Sequence, residues 1–461
     1  MNNAEAPTAK LKSMEIIGLF DMFDYFIEYP TDENVLLITG PNGFGKTQIL
    51  NIIFHLFNRK FSFFQKLVFR KITVTLANAN GDSKKIVITK SKVPPTDDAV
   101  KSLGSNQRVI FARDVFEMNL TSYDGDKKIE EIADESFNKS RSTEYAAMVA
   151  RSLGLRRIAE DAWVPRNNHN IDRTLTADEI LRNYALENPE DDEQSSKLPK
   201  NQKTIEILSS LGVHLIKEQR LLKKVVSRSS DEWIKTIEEY AKDLQKILKK
   251  YDEESATVTR ELESTYPRRL VAETNRISRE DYDTRFLKMK EKQDTLMKYG
   301  LYESSLEVLG YSQEDAKSLL VYLNDLEKKL GVFDDLIAKL DLFTEILNER
   351  RFTFKQIIID REKGFHFRTD TNTKLDLTEL SSGEQHEVVL LYELIFRTKP
   401  GILVLVDEPE ISLHVKWQKE FLNDLLKIID LQGFQVLVAT HSPQIISGRW
   451  DLVYNLEKQE A

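Results

Sequence analysis

Short apolar runs alternate with turns and helical patterns at both ends of the chain. Residues 34–39 (NVLLIT) predict a buried strand, a glycine-rich turn follows directly, and 47–57 (TQILNIIFHLF) has the period of a helix. Towards the C-terminus the same alternation predicts a helix at 384–397, a strand at 401–406, a helix at 415–429 and a strand at 434–439. Alternating strands and helices favour a parallel sheet, so the two ends together predict an α/β fold.

The region between these ends has weaker patterns. Residues 67–77 and 84–89 predict a hairpin, because Asn, Gly and Asp residues separate two apolar strands. Single strands are predicted at 213–216, 355–360 and 365–368. Between about 95 and 210 we predict an insertion of unassigned role, with helices near 128–153 and 176–186 and an exposed loop at 187–203.

A long helical segment follows from about residue 231. Apolar residues recur there at alternating spacings of three and four, which is the a/d repeat of packed helices, at Ile234, Ile237, Ala241, Leu244, Leu248 and Tyr251. Pro267 interrupts this run, and two further helical runs carry Phe286 to Leu296 and Leu323 to Leu340. The pattern therefore predicts antiparallel coiled-coil-like arms at 231–350, between an N-terminal lobe at 1–230 and a C-terminal lobe at 351–461.

Composition excludes several classes of site. The chain of 461 residues has no cysteine, which excludes disulfides, thiolate metal sites and a Cys nucleophile, and only seven His. The sequence has no run of 18 apolar residues and does not begin like a signal peptide, so we expect a cytoplasmic protein without a membrane partner. The net charge of −9 gives no general attraction to nucleic acid, so direct DNA binding would need a local basic patch.

The glycine-rich turn carries the first candidate chemistry. Residues 40–47 (GPNGFGKT) fit the phosphate-loop pattern G-x-x-x-x-G-K-[ST], in which Asn42, Gly43 and Gly45 turn backbone N–H groups toward the phosphates of ATP. Lys46 is expected to bind the β and γ phosphates, and Thr47 to place its hydroxyl on Mg²⁺. A strand before the loop and a helix after it make this pattern specific.

Two adjacent carboxylates end the apolar strand at 401–406. Asp407 is predicted to join the Mg²⁺ shell, and Glu408 to polarise the attacking water as the catalytic base. Taken alone, an apolar strand followed by Asp-Glu is as often an ordinary strand end as a functional site. Together with the phosphate loop it predicts a nucleotide-hydrolysing centre.

A turn that opens the helix at 384–397 resembles the signature motif of ABC-type ATPases. It reads Leu380-Ser381-Ser382-Gly383-Glu384-Gln385, with Ser382 in place of the first glycine of L-S-G-G-Q/E. The resemblance implies an ATP-sandwiched dimer, in which Ser381, Ser382, Gly383 and Glu384 of one subunit close on ATP held by another. The alternative role for Ser381 is an ordinary helix N-cap.

Two more positions match the same family. His441, which follows the strand at 434–439, matches the switch histidine that senses the γ-phosphate and is expected to be catalytic. Gln219 stands where such ATPases place the glutamine loop, a further Mg²⁺ ligand, and Gln107 is the alternative.

The order of these motifs around helical arms is similar to the SMC-type branch of ABC ATPases. Residues 407–414 (DEPEISLH) further resemble the D-E-P-E-x-x-L-H pattern of OLD-like ATPases from bacterial anti-phage systems, with His414 in place of the usual D-loop aspartate. OLD nucleases continue into a TOPRIM domain, whereas this sequence stops twenty residues after His441. We therefore expect any nuclease to be a separate polypeptide, either a TOPRIM-type AriB-like effector, as in the AriA family of PARIS systems, or an HNH nuclease, as in Septu systems.

The resemblance implies an oligomeric sensor and scaffold, a homodimer or a higher homo-oligomer such as a hexamer. On this hypothesis the ATPase holds a toxic nuclease and releases or activates it when a phage trigger, for example a DNA-mimicking protein, is detected. The alternative is a DNA-repair or DNA-end-binding ATPase of RecF or SMC type. Against it, the first seventy residues of the arms have almost no net charge. A transporter subunit is a third, weaker alternative, because such subunits lack long arms.

Overall fold

The computed structural model describes residues 9–30, 33–78, 81–93, 115–132, 155–159, 162–165, 202–226, 231–303, 310–411 and 413–457. The predicted helix at 176–186, most of the predicted loop at 187–203 and Gln107 lie outside these residues.

Strands and helices are numbered here in chain order. The strands are β1 (Ala9–Leu19), β2 (Phe23–Glu28), β3 (Val35–Thr39), β4 (Lys71–Asn78), β5 (Ser83–Val93), β6 (Val115–Asp124), β7 (Lys127–Ile132), β8 (Leu155–Ala159), β9 (Ala162–Pro165), β10 (Val213–Ile216), β11 (Leu222–Val226), β12 (Asp231–Lys235), β13 (Lys355–Asp360), β14 (Gly364–Thr369), β15 (Lys374–Leu375), β16 (Leu403–Asp407), β17 (Gln435–Ala439) and β18 (Val453–Asn455). The helices are α1 (Lys46–Phe57), α2 (Ser62–Lys66), α3 (Gln202–Ser209), α4 (Thr236–Ala272), α5 (Arg279–Lys298), α6 (Ala316–Gly331), α7 (Asp334–Glu345), α8 (Ser382–Tyr392), α9 (Val415–Gln432) and α10 (Pro443–Ile446). Helices α7 and α8 each run on into a π-helical turn, at Ile346–Arg351 and Glu393–Arg397.

A five-stranded sheet in the order β10-β16-β17-β3-β18 forms the centre of the molecule, and all its neighbouring strands are parallel. Its strands are apolar because both faces are covered. Alternate residues of β16 show this, since Val404 and Val406 belong to the core cluster that includes α8, α9 and the helical insertion, whereas Leu403 and Leu405 belong to the cluster that includes α1 and the antiparallel sheet. The predicted α/β layering is confirmed.

A six-stranded antiparallel sheet in the order β2-β1-β4-β5-β6-β7 lies beside it. The predicted hairpin at 67–89 corresponds to β4 and β5. The helix predicted near 128–153 is wrong at its start, because residues 127–132 form β7 and pair with β6. The turn Asp124-Gly125-Asp126 is a hairpin signal that outweighs the helical spacing of Ile129 and Ile132. Residues 133–153 lie outside the described part.

The helical insertion differs in three details from its prediction. Its first residues form β12, paired with β11, so α4 begins at Thr236 and not at 231. Pro267 does not end the first helix, because it sits on an exposed stretch and α4 continues to Ala272. The third predicted run divides into α6 and α7, with a break at Val332 and Phe333.

The insertion packs on itself and on the C-terminal part of the chain. The 37 residues of α4 extend about 55 Å at the helical rise per residue. Its outer half is joined to α6 by an ion pair between Arg269 and Asp325. At its base, Gly364 of β14 comes so close that a Cβ there would stand 1.8 Å from the carbonyl oxygen of Ala241, so only glycine allows this contact.

The base of α4 also contacts the helix that follows the predicted signature turn. The rings of Tyr240 and Tyr392 stack with their centroids 4.6 Å apart, and the Tyr392 hydroxyl donates to Asp243 at 3.0 Å. The insertion is therefore fixed to α8. Within the described residues, every helix is too short or too polar to cross a membrane.

Candidate nucleotide-binding site

Three parallel strands bring the candidate residues to one edge of the central sheet. Asp407 at the end of β16 pairs with Ala439 at the end of β17, which pairs with Ile38 of β3. The segments that follow these strands are the phosphate loop, Glu408 and His441. Since ligands of open α/β sheets bind at the carboxyl ends of the strands, this edge is the candidate site.

The phosphate loop has the backbone that its glycines were predicted to allow. Gly43 and Gly45 have φ angles of +88° and +85°, and α1 begins directly after them at Lys46. A Cβ on Gly45 would stand 2.9 Å from Leu19, so β1 also excludes a side chain here. No side chain caps this end of α1, and Asn42 and Gly43 are exposed. The N–H groups of the first turn are thus available to phosphate oxygens.

Lys46 is buried, with its ammonium inside the loop. Its Nζ donates to the carbonyl oxygens of Gly40 and Pro41 at 2.8 and 3.1 Å and lies 3.1 Å from Nδ1 of His441. Burial lowers the pKa of Lys46, while the carboxylates of Glu408, Glu410 and Asp407 oppose that shift.

The ring of His441 lies between Lys46 and Glu408. An ammonium can only donate, so Nδ1 of His441 is the acceptor in its contact with Lys46. On the other side of the ring, Nε2 lies 3.0 Å from Oε1 of Glu408. The ring therefore stands between the predicted phosphate-binding lysine and the predicted catalytic base.

Thr47 and Asp407 form an oxygen pair beside this chain of contacts. The Thr47 hydroxyl donates to Oδ1 of Asp407 at 3.1 Å. Burial raises the pKa of Asp407 to about 6, which the Thr47 hydrogen bond opposes and the neighbouring Glu408 and Glu218 reinforce. A hydroxyl and a desolvated carboxylate are ligands that suit Mg²⁺, so the residues fit the predicted ion.

Glu408 has a strained backbone, with φ at +43°. Its N–H donates to the carbonyl of Ala439 at 2.9 Å, which holds the turn after β16 in place. A residue without glycine's freedom adopts this conformation only when its surroundings require it, and such residues concentrate at functional sites.

The signature turn lies apart from these contacts. Ser381 caps α8, and its Oγ accepts from the Glu384 N–H while the Glu384 carboxylate accepts from the Ser381 N–H at 2.8 Å. Lys355 donates to both carboxylate oxygens of Glu384, at 2.9 and 2.8 Å. Burial would raise the pKa of Glu384, but the bonds from Lys355 and Ser381 outweigh it and hold that pKa below its usual value.

The N-cap alternative for Ser381 is therefore realised. Ser381 and Ser382 are exposed, and Gly383 is half-buried. Among the described residues, no hydrogen bond or ion pair joins this turn to the phosphate loop, Asp407 or His441. The structure thus brings the phosphate-side residues together and leaves the signature residues on the surface of the same chain.

Gln219 is exposed and stands three residues after β10, the strand paired with β16. Its neighbour Glu218 is close enough to raise the pKa of Asp407. This position is beside the site, and the metal-binding role of Gln219 stays a prediction.

The sequence matches the AAA ATPase domain family over residues 20–446. The match covers most of the chain, including every residue of the site described above. The chain belongs to the AAA ATPase domain family. This AAA ATPase assignment confirms the prediction of an ATP-binding ATPase, and it agrees with the predicted α/β P-loop fold with a helical insertion.

Two curated proteins are similar to shorter parts of this AAA ATPase. Protein ea59 of Escherichia phage lambda is 31% identical over 121 residues, which are 26% of this chain and 23% of that protein. The lipoprotein-releasing system ATP-binding protein LolD of Rickettsia typhi (strain ATCC VR-144 / Wilmington) is 38% identical over 79 residues, 17% of this chain and 34% of LolD. The chain thus matches about a quarter and a third of these relatives' lengths.

Solved structures include distant neighbours among SMC heads. The Smc head domain with an extended coiled coil, bound to the C-terminal domain of ScpA and derived from Pyrococcus furiosus, gives a TM-score of 0.33 at 14% identity, with 95% of this chain and 91% of that chain covered. The SmcHead bound to the C-winged helix domain of ScpA gives 0.34 at 12%, with the same coverage. Superpositions this loose transfer no residue roles.

Sequence reasoning assigned no role to two residues of the AAA ATPase site. Glu410 accepts three hydrogen bonds from residues 440–442. Arg220, which is buried, donates through Nε to Nδ1 of His386 on α8 at 3.2 Å and through Nη2 to the Pro409 carbonyl at 3.1 Å. Both stand next to motif residues in the sequence, Glu410 within DEPE and Arg220 after Gln219. Their position beside these motif residues was the feature of the sequence that could have indicated a place in the site.

Proposed function

We propose that this AAA ATPase is an ATP-driven switch whose hydrolytic site is completed by a second copy of the chain. The observation that supports the proposal is a difference between the two parts of the predicted site, the phosphate side and the signature turn. Lys46, His441 and Glu408 form one continuous set of contacts, whereas the side chains of Ser381 and Glu384 bond, among the described residues, only to each other's groups and to Lys355, and Ser381 and Ser382 are exposed.

The phosphate side supplies binding and orientation. The N–H groups of residues 42–47 and the Lys46 ammonium would receive the phosphates, with Lys46 exchanging two carbonyl acceptors for charged oxygens. Thr47 and Asp407 would hold Mg²⁺, with Gln219 as a further candidate, and the ion supplies charge neutralisation when bound. The Glu408 carboxylate would orient and polarise the attacking water. His441, whose Nε2 lies 3.0 Å from Oε1 of Glu408, would sense the γ-phosphate through its ring.

The signature side would act in trans. Ser381, Ser382, Gly383 and Glu384 lie at the start of α8, where the N–H groups and the helix dipole favour an anion. Exposure leaves this end free to close on ATP bound to another subunit. A homodimer is the smallest assembly that satisfies the arrangement, and a higher homo-oligomer such as a hexamer would repeat it.

The biological role we propose is that of a sensor and scaffold in bacterial anti-phage defence. The resemblance of residues 407–414 to OLD-like ATPases supports it, with the AriA family of PARIS systems as the best match in layout. In this role the ATPase holds a separate TOPRIM-type AriB-like nuclease, or an HNH nuclease in the Septu-type alternative, and frees or activates it when a phage trigger such as a DNA mimic binds.

A DNA-repair ATPase of RecF or SMC type is the alternative. It would use the insertion to grip DNA, but residues 231–350 contain 20 Lys and Arg against 27 Asp and Glu. An acidic insertion repels the phosphate backbone, so the charge favours a protein partner.

The test is affinity capture of Glu408→Gln from its native host with Mg·ATP, followed by mass spectrometry and a nucleic-acid assay, with Lys46→Ala as the matched control. We expect one stoichiometric TOPRIM or HNH protein with Glu408→Gln and a loss or change of that partner with Lys46→Ala. Salt-sensitive DNA without a nuclease partner would overturn the defence role in favour of the repair ATPase.

A further inference from the structure

We infer that Glu410 is a positioning residue for ATP hydrolysis, because its carboxylate holds the backbone of the His441 loop and so fixes the ring against Glu408. The inference rests on the proposed hydrolytic site and adds to it the group that sets the geometry of the switch histidine.

One carboxylate oxygen makes all the contacts with the loop. Oε1 of Glu410 accepts from the Thr440 hydroxyl at 2.7 Å, from the His441 N–H at 2.6 Å and from the Ser442 N–H at 3.0 Å. Hydrogen bonds to an ionised acceptor are about twice as strong as neutral ones. Thr440 has no exposed surface, so its hydroxyl has no water to replace this acceptor.

The position of Glu410 in the chain couples the two carboxylates. Glu410 follows Glu408 by two residues, and backbone bonds from Ile411 to Glu408 and from Leu413 to Glu410 fold this segment tightly. Glu408 contacts the His441 ring at 3.0 Å while Glu410 holds the same residue by its N–H. The contact with Glu408 restrains the ring of His441, and the bond to Glu410 restrains its backbone. A rotation of His441 would therefore disturb both contacts.

Gln418 on α9 reinforces the same loop from a second direction. Its Oε1 accepts from the Ser442 hydroxyl at 2.8 Å, and its Nε2 donates to the Leu413 carbonyl at 3.0 Å. The loop after β17 is thus attached to the segment after β16 by side chains on both sides.

The burial of the Glu410 side chain indicates that this position requires a carboxylate. Oε2 of Glu410 is buried and has no hydrogen-bond partner among the residues that the structure describes, a cost that an alanine or an apolar residue would avoid. Arg220 and Lys46 are close enough to interact electrostatically with the Glu410 charge and offset that cost. Glu410→Gln keeps an acceptor oxygen for the loop and removes the charge, so it separates the two contributions.

The experiment is a double-mutant cycle on steady-state ATPase activity, with ATP affinity measured by calorimetry. We expect Glu410→Ala to lower kcat about 10- to 100-fold with KM within about threefold, and Glu410→Gln to recover kcat to within about threefold of the unmodified protein. In a His441→Ala background, Glu410→Ala should change kcat less than about twofold, because the residue it positions is gone. Glu263→Ala, an exposed glutamate on α4, is the matched control and should leave kcat unchanged.

An equal fall in kcat with and without His441 would overturn the inference, as would a rise in KM at constant kcat. If Glu410→Ala does not fold, Thr440→Val removes one of the three donors and is measured in the same cycle, with a smaller loss that must also vanish without His441. Absence of ATP hydrolysis by the unmodified protein would instead refute the proposed hydrolytic site, so the two failures are distinguishable.

Discussion

The phosphate side and the signature side of this ATPase are built in opposite ways. On the phosphate side, Lys46, His441 and Glu408 come from three strand ends and are joined by contacts between residues far apart in sequence. On the signature side, Ser381 and Glu384 bond to each other within one helical turn. Contacts between distant strand ends complete the first region, whereas the second is a helix cap that Lys355 of β13 supports.

This difference indicates what each side still needs. The phosphate side has its charged groups desolvated and oriented, which is the costly part of a preorganised site. On the signature side, Ser381 and Ser382 are exposed at a helix start, and within the described ranges no hydrogen bond or ion pair connects that turn to the phosphate side. The comparison predicts that substitutions on the first side affect nucleotide binding or chemistry within a subunit, and those on the second affect chemistry between subunits.

Loss of Lys46 is expected to have the largest effect. Lys46→Ala removes the buried ammonium that we propose faces the β and γ phosphates, so ATP affinity measured by calorimetry should fall at least about 100-fold. Lys355→Ala, on the signature side, is the control and should bind ATP with an affinity within about threefold of normal. Unchanged affinity in Lys46→Ala would remove this lysine from the site.

Loss of the Glu408 charge should separate binding from chemistry. Glu408→Gln keeps the size of the side chain but cannot act as a base, so phosphate release should fall about 100-fold or more while ATP affinity stays within about threefold. Normal turnover in this variant would mean that another group orients the water.

A substitution on the signature side should act only between subunits. Ser381→Arg places a bulky cation at the start of α8, and its homo-oligomer should hydrolyse ATP about 10- to 100-fold more slowly with normal affinity. Mixing it with Lys46→Ala subunits should restore part of the activity, because each supplies the half that the other lacks. Full activity of the Ser381→Arg homo-oligomer would contradict the composite site.

The two sides are joined through Arg220 and His386, and that link should give a smaller, pH-dependent effect. Burial, with the Arg220 charge, lowers the pKa of His386 from 6.5 to about 4. The unfolded chain then binds more protons than the folded one between about pH 6.5 and pH 4, so stability is lost as pH falls through this window.

His386→Gln should remove that dependence while keeping an acceptor for Arg220. Between pH 7.5 and pH 5, the unmodified protein should lose about 2 kcal/mol more free energy of unfolding than the variant, measured by denaturant titration. Identical pH profiles would show that His386 does not titrate in this window.

Local patterns explain what could be predicted from the sequence. The phosphate loop, four of the five strands of the parallel sheet (β3, β10, β16 and β17) and Asp407-Glu408 are contiguous signals, and the structure contains each of those strands, whereas the short strand β18 was not predicted. The β6–β7 hairpin was not predicted, because β7 lacks the alternation of a regular strand: a register shift leaves Ile129 without a paired residue, and Ile129 and Ile132, three positions apart, both pack against the core.

The contacts of Glu410 and Arg220 could not be predicted in the same way. Glu410 meets its partners thirty residues further along the chain, and Arg220 meets His386 across 166 positions. Only the packing of strands and helices shows that these groups are buried and which donors or acceptors they face. The site roles of Lys46, Thr47, Asp407, Glu408 and His441 remain predictions, as do those of Asn42, Gly43, Gly45 and Gln219, and the loop geometry is compatible with them.

Sedimentation velocity of Glu408→Gln with and without Mg·ATP tests the composite site most directly. We predict that ATP shifts this variant from a smaller species to one of at least twice its mass, and that adding Ser381→Arg in the same chain abolishes the shift while ATP still binds. An ATP-bound protein that stays monomeric, or an assembly that forms equally well with Ser381→Arg, would contradict the account.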